Sequence, residues 1–199
     1  MGKKLKNRYL ILRHGETSQQ AKRSAYTYKW PDNPPTRLTK RGEKQIREAA
    51  KRLEKEGINF MFSSDLFRTR QTSKIVSERL GIKPKFDKRL RDINLGVFSG
   101  KLKKDFYKAF PDVKKRFVQR PKNGESWNDV KKRVFEVIKE IEKKHKDKKI
   151  LIVSHGDPLW LLEGIAKGSI EKELLSVKKL KKDYINVGEL RNLYGFSQK

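Results

Sequence analysis

The chain contains no cysteine, which excludes a disulfide framework and a thiolate metal site. Long apolar runs are also missing. The N-terminal Met-Gly-Lys-Lys-Leu-Lys stretch leads only into Tyr9–Leu12, too short for a signal-peptide core or a membrane span. Gly2 is not followed by Ser or Thr at position 6, where Lys6 stands, so no myristoylation signal is present. The chain therefore reads as cytoplasmic, with no membrane partner. Acidic side chains are scarce against basic ones, 24 to 51, giving a formal net charge of +27.

Apolar residues make up only 35% of the chain and charged residues 38%, values that by themselves would fit disorder. The apolar residues are clustered and periodic, however, and 199 residues are enough to bury a sizeable core without metals or disulfides. A heavily charged surface around a modest core is the better reading. The basic excess could attract nucleic acid or anionic membranes, or steer phosphorylated substrates. It is instead spread along the sequence, with local runs Lys143–Lys149 and Lys178–Lys182, and carries no aromatic-interleaved motif of the RNA-recognition type. That favours a solvated lysine-rich surface, with non-specific polyanion binding at low salt.

Strands and helices alternate. Arg8–Leu12 is an apolar strand that empties into Arg13-His14-Gly15-Glu16-Thr17. Residues 18 to 38 are polar, aromatic and proline-containing, an expected irregular surface segment. Thr39 caps a helix over 40 to 56 that Gly57 stops, with Ile46, Ala49, Ala50 and Leu53 at helical spacing. A strand at Ile58–Phe62 ends in Ser63-Ser64-Asp65, and a helix over Leu66–Leu80 closes at Gly81. Pro84–Phe86 fits a short strand, and Leu90–Gly100 a loop. Residues 101 to 119 look helical, with a break at Pro111.

Asn128 or Ser126 can cap an amphipathic helix Val130–Lys144. Ile150–Val153 is a buried strand ending at Ser154-His155-Gly156-Asp157, followed by a helix Pro158–Ala166. A last strand is expected near Tyr184–Leu190. This order predicts one α/β domain over 1–199, a three-layer α/β/α sandwich on a largely parallel sheet. A small helical and loop cap is expected from segments 18–38 and 97–123.

Three strand ends carry the polar signal: Arg13-His14, Ser63 to Arg68, and Ser154-His155. Ligands in open α/β sheets bind beyond the carboxyl ends of strands. Two arginines and two histidines there form a constellation suited to phosphate. Arginine forks match phosphate oxygens, and neutral imidazole is a nucleophile near neutral pH. His145, in a Lys-rich helix end, reads as a solvated surface residue.

Arg13-His14-Gly15-Glu16-Thr17 resembles the signature of the histidine phosphatase superfamily, in the branch that includes cofactor-dependent phosphoglycerate mutases. Further motifs follow in family order. They are Leu38-Thr39-x-x-Gly42-x-x-Gln45, Ser63-Ser64-Asp65-Leu66-x-Arg68-Thr69-x-Gln71-Thr72, and Leu90-x-Asp92-x-x-x-Gly96-x-Phe98-x-Gly100. Gly124-Glu125-Ser126 and Ser154-His155-Gly156 complete the series, which runs from residue 8 to about 160. The resemblance implies that His14 attacks phosphorus, while Arg13, Arg68 and His155 hold the phosphoryl oxygens. Asp92 would act as general acid and then general base. Gln20 and Gly156 are further candidate phosphate contacts. No cofactor and no metal are implied, and the partner is a small phosphorylated substrate. Oligomeric state leaves no mark in the sequence.

Three departures stand out. Gln20 occupies a position where the family often has Asn. Asp92 replaces the commoner Glu, and an ordinary aspartate pKa of about 3.9 must be raised for it to donate a proton at neutral pH. Asp157 places a carboxylate next to the second histidine, facing away or recognising a cation or hydroxyl of the substrate. Ser63 and Ser64 could donate to phosphate or cap the next helix, and Glu125 could line the pocket or shape a turn.

Mutases usually carry Arg-His-Tyr after the acid, where this chain has Ile93-Asn94-Leu95, although Lys103 matches a mutase lysine. A phosphomonoester hydrolase is therefore expected, the alternative being a cofactor-dependent phosphoglycerate mutase. A reading of another class is a basic nucleic-acid- or polyanion-binding protein with vestigial catalysis. Specificity should reside in the cap, where Trp30, Phe106, Tyr107 and Phe110 are candidates for pocket lining, core packing or surface cover.

Overall fold

A computed structural model describes residues 5–30, 32–180 and 183–193. The first four residues and Lys181-Lys182 lie outside it, so the Lys178–Lys182 run is not interpreted. Five strands form one sheet: β1 (Arg8–Arg13), β2 (Phe60–Ser63), β3 (Pro84–Phe86), β4 (Lys149–Ser154) and β5 (Leu190–Asn192), in the order β3-β2-β4-β1-β5. The first four are mutually parallel, with Arg8 opposite Lys149 and Arg13 opposite Ser154. Only β5 runs antiparallel, against β1.

The two central strands are apolar on both faces because both faces are covered. Tyr9, Ile11, Ile150 and Ile152 pack on one side against α5 (Trp127–Lys144) and α6 (Gly156–Lys167), through Val134, Ile138, Trp160 and Leu161. Leu10, Leu12, Met61, Leu151 and Val153 pack on the other against α2 (Lys40–Glu54) and α3 (Phe67–Leu80), through Ile46, Ala50, Leu53 and Val76. The result is the three-layer α/β/α architecture. Each fully buried Leu, Ile or Val contributes about 1.5–3 kcal/mol over an exposed one.

The helix boundaries follow from caps. Thr39 Oγ1 accepts from Gly42 N at 2.9 Å and starts α2. Gly81, at φ 69°, ends α3 in the left-handed region where glycine is unstrained. Ser126, rather than Asn128, caps α5 in a reciprocal box with Asp129, so this helix begins at Trp127 and not at Val130.

Other expectations are revised. The last strand is Leu190–Asn192, whereas Tyr184–Glu189 forms the approach to it. The 18–38 segment is not wholly irregular, because Thr17 caps a short helix α1 (Ser18–Ala21). His145 is half-buried rather than solvated, its ring 4.2 Å from that of Phe60.

The 97–123 segment holds a 3₁₀ turn at Gly96–Phe98, helix α4 (Lys103–Ala109) and a second turn at Lys114–Phe117. It is tied to the 18–38 segment by a Tyr26–Leu102 bridge and by Thr27 Oγ1 donating to Phe98 O at 2.6 Å. Helix α7 (Glu171–Leu180) follows α6. Among the described residues no helix is long and apolar enough to cross a membrane.

Candidate active site

Because β1, β2 and β4 are parallel, their carboxyl ends share one edge of the sheet. His14, one residue beyond β1, donates its backbone N–H to Ser154 O at 3.1 Å, which registers it against the end of β4. His14 and His155 are buried, and their ring centroids lie 5.2 Å apart. His14 Nδ1 is 2.8 Å from Gly15 O. A carbonyl can only accept, so Nδ1 carries the proton and Nε2 the lone pair. Burial, followed by the charges of Arg68 and Arg13, holds the His14 pKa well below its ordinary value. The imidazole is neutral and its free lone pair is fixed.

Arg68, fully buried near the start of α3, organises the opposite wall. Its Nε donates to His155 Nδ1 at 3.2 Å, one terminal nitrogen to Asp92 Oδ2 at 3.2 Å, and the other to Asp32 Oδ2 at 3.5 Å. Its guanidinium lies 4.2 Å from the Tyr28 ring centroid. His155 Nε2 meets Ser64 Oγ at 2.8 Å. Burial and the charges of Arg68 and Arg13 also depress the pKa of His155.

Arg13 gives one terminal nitrogen to Ile185 O at 2.8 Å, while its Nε is buried and has no acceptor among the described residues. An uncompensated buried donor is costly, and an anion in the pocket would satisfy it.

Asp92 follows a 3₁₀ turn at Lys88–Leu90. Its Oδ1 accepts from Ile93 N at 3.1 Å, and its Oδ2 lies 3.9 Å from His155 Nδ1. Burial raises its pKa, Arg68 and Arg13 oppose the rise, and Asp157 adds to it. The loop is pinned from below by Arg133 on α5. This guanidinium donates to the carbonyls of Arg89, Arg91 and Asp92 at 2.7, 2.7 and 2.8 Å. Glu125 holds Arg133 at 2.7 Å and accepts from Asn94 N at 2.9 Å. Glu125 is thus spent on the turn, beneath the pocket.

The remaining motif residues assemble the floor. A Cβ on Gly15 would lie 2.4 Å from Gly42 O, and one on Gly42 2.1 Å from Glu16 O, so the two backbones touch where neither can carry a side chain. Gln45 Oε1 accepts from Glu16 N at 2.9 Å and Gln71 Oε1 from Leu38 N at 2.9 Å. Glu16 accepts from Thr39 Oγ1 at 2.9 Å.

Arg13, His14, Arg68, Asp92 and His155 are brought together, with Gly156 beside Arg13. Gln20 is engaged elsewhere, its Oε1 accepting from Thr17 N at 3.0 Å in the cap of α1. Ser63 donates to Ser64 O at 2.8 Å, and Ser64 Oγ also accepts from Leu66 N at 3.4 Å. Asp157 accepts from Trp127 Nε1 at 3.1 Å and from the Tyr184 hydroxyl at 2.7 Å. Phe106 and Phe110 stack on each other with Arg116 over Phe106, and Arg91 lies over Trp30.

Tyr28, Asp32, Arg133 and Tyr184 were invisible to sequence reasoning. Each is a lone side chain outside a motif, and only the folded chain gives it a neighbour. Among the described residues no group of three or more His, Asp or Glu is disposed to hold a metal ion.

The sequence profile described as histidine phosphatase superfamily (branch 1) matches residues 9–179. A Serratia proteamaculans protein named Probable phosphoglycerate mutase GpmB is 34% identical over 157 residues, covering 76% of this chain and 71% of that one. The solved structure of Bacillus stearothermophilus YhfR is similar at 27% identity and a TM-score of 0.77, covering 92% of this chain and 89% of its own. A mycobacterial glucosyl-3-phosphoglycerate phosphatase, solved with VO3, is similar at 25% identity and a TM-score of 0.73, covering 85% of this chain and 84% of its own.

Proposed function

The chain belongs to branch 1 of the histidine phosphatase superfamily, and from that premise we propose that it hydrolyses phosphomonoesters of a small metabolite through a phosphohistidine on His14. The observation that carries this reading is the His14 ring itself, buried, neutral, and held with its Nε2 lone pair available beside Arg13 and Arg68. In the first step Nε2 bonds to phosphorus as the ester P–O bond breaks, and Asp92 gives its proton to the leaving oxygen. Arg13 and Arg68 stabilise the charge on the phosphoryl oxygens, with His155 beside them. In the second step the Asp92 carboxylate takes a proton from water. The water oxygen bonds to phosphorus, the P–N bond breaks, and phosphate leaves with neutral His14 restored.

The raised pKa of Asp92 supports its part, since burial compensates for an acid shorter than glutamate. Hydrolysis is favoured over mutase chemistry because Ile93, Asn94 and Leu95 stand where mutases hold phosphoglycerate. The name of the Serratia relative keeps the mutase reading as the second. The test is release of phosphate from p-nitrophenyl phosphate and a panel of metabolites, run beside interconversion of 3- and 2-phosphoglycerate with bisphosphoglycerate present. Hydrolysis lost in His14→Ala is the expected result. Full activity in that variant would remove the nucleophile assignment, and interconversion outpacing hydrolysis would make the protein a mutase. Salt-sensitive RNA binding, unchanged by His14→Ala and with no phosphatase activity, would favour a polyanion-binding protein instead.

A further inference from the structure

Tyr184 lies past residue 179, where the family match ends, and in none of the motifs above. It nonetheless reaches the phosphate side of the pocket. Its ring centroid is 5.7 Å from Arg13 Cζ, and the next residue, Ile185, accepts from an Arg13 terminal nitrogen at 2.8 Å. The Tyr184 hydroxyl donates to Asp157 Oδ1 at 2.7 Å, while the other oxygen of Asp157 takes the Trp127 indole at 3.1 Å. Trp127 is buried at the start of α5 and Asp157 lies in the first turn of α6, so both anchors belong to packed helices. Gly156 leaves the space this requires. A Cβ there would sit 2.4 Å from the Tyr184 hydroxyl and 3.2 Å from Arg13 Cζ.

We propose that Tyr184, anchored by Asp157, is a positioning residue for Arg13, so that the segment leading into β5 completes the phosphate-binding side of the pocket. The inference rests on the phosphatase reading. An arginine side chain carries up to about 2 kcal/mol of rotamer freedom, and a ring face on one side with a carbonyl acceptor on another removes it before substrate arrives. The anchor also accounts for a carboxylate where phosphate must bind. Asp157 repels an incoming anion, and its place beside the pocket makes sense when one of its oxygens fixes the ring that packs on Arg13. Both effects are separable because they oppose each other.

Orthovanadate, which mimics the five-coordinate phosphorus of the transition state, serves as the probe, with affinity measured by calorimetry on the full chain. Tyr184→Phe keeps the ring, and with it the packing on Trp160 at a centroid distance of 6.3 Å, but loses the anchor. It should weaken vanadate binding about three- to tenfold, with the unfolding midpoint lowered no more than the loss of one hydrogen bond accounts for. Asp157→Asn removes the repulsion and leaves one acceptor oxygen for two donors, the Tyr184 hydroxyl and the Trp127 indole, so the anchor is weakened. In the Tyr184→Phe background the amide oxygen can still take the Trp127 indole while the repulsion is lost, and there it should tighten binding. The two substitutions should therefore couple by at least about threefold, a non-additivity that a general loss of stability does not produce. Unchanged vanadate affinity in Tyr184→Phe, or an additive cycle, overturns the proposal while leaving the phosphatase reading intact. A parent chain that binds no vanadate and releases no phosphate overturns the phosphatase reading and this inference with it.

Discussion

Arg68 and His155 meet at 3.2 Å, guanidinium Nε to imidazole Nδ1. A donor on that side of the ring leaves the single proton of neutral His155 on Nε2, 2.8 Å from Ser64 Oγ. The same guanidinium reaches Asp92 and Asp32. One planar group thus sets a tautomer and holds the candidate acid at the same time.

A lysine cannot replace it. Arg68→Lys keeps the charge but has one nitrogen for three partners fixed in a fork. We expect kcat/KM for p-nitrophenyl phosphate to fall by about 10²–10³, comparable to the loss of one preorganised donor in other enzymes. A fall of less than tenfold would mean that charge alone suffices.

The pH profile follows from two shifts of opposite sign. His14 is held neutral well below the usual histidine range, so kcat/KM should show no loss as pH falls through 6.5 and decline only at more acidic values. Asp92 is raised, and its proton must be present for the first step, so the alkaline limb lies above the ordinary carboxylate range. Asp157→Asn removes a charge that helps keep that proton on. The alkaline limb should then move to lower pH, with the acid limb unmoved.

Arg133 donates to three carbonyls of the Asp92 loop, those of Arg89, Arg91 and Asp92. Arg133→Met leaves those carbonyls unpaired and Glu125 with Asn94 N alone, which should lower stability by about 1–3 kcal/mol. The more informative change is kinetic, with kcat reduced at least tenfold while KM moves little. Paired Arg133→Met and Glu125→Gln should do no more harm than Arg133→Met alone.

Gly42 offers a test in which two principles disagree on sign. In a helix interior Gly→Ala contributes about 1 kcal/mol, and Gly42 lies in the first turn of α2. The added Cβ would lie 2.1 Å from Glu16 O, which is backbone and has nowhere to go. Gly42→Ala should therefore lower the thermal midpoint and reduce activity. A higher midpoint would show that the loop carrying His14 yields easily.

Local chemistry made much of this legible from sequence. Thr39, Ser126 and Gly81 announce helix ends through their own hydrogen bonds or dihedral angle. Apolar strands ending in His-Gly announce a ligand edge. Even the meaning of Gly42 and Gln45, which the motif only marks, proves to be contact with the loop that holds His14. The last strand was misplaced because Tyr184, Ile185 and Val187 read as a strand. In fact Ile185 is core, Tyr184 is pocket wall, and the left-handed Gly188 turns the chain before pairing starts. Asp32 and Tyr28 sit in a proline-containing stretch with no periodicity, so nothing local hints that Arg68 is their partner.

The antiparallel β5 has one more consequence, in time rather than in space. Strand β1 is made early, but both its neighbours, β4 and β5, are made late. On the ribosome β1 has no partner on either edge until most of the chain has emerged, so the sheet closes through non-local pairings that form slowly. A half-made chain therefore holds His14 without His155 and Ile185 in place around it, and the residue gains its full surroundings only as the final strand docks.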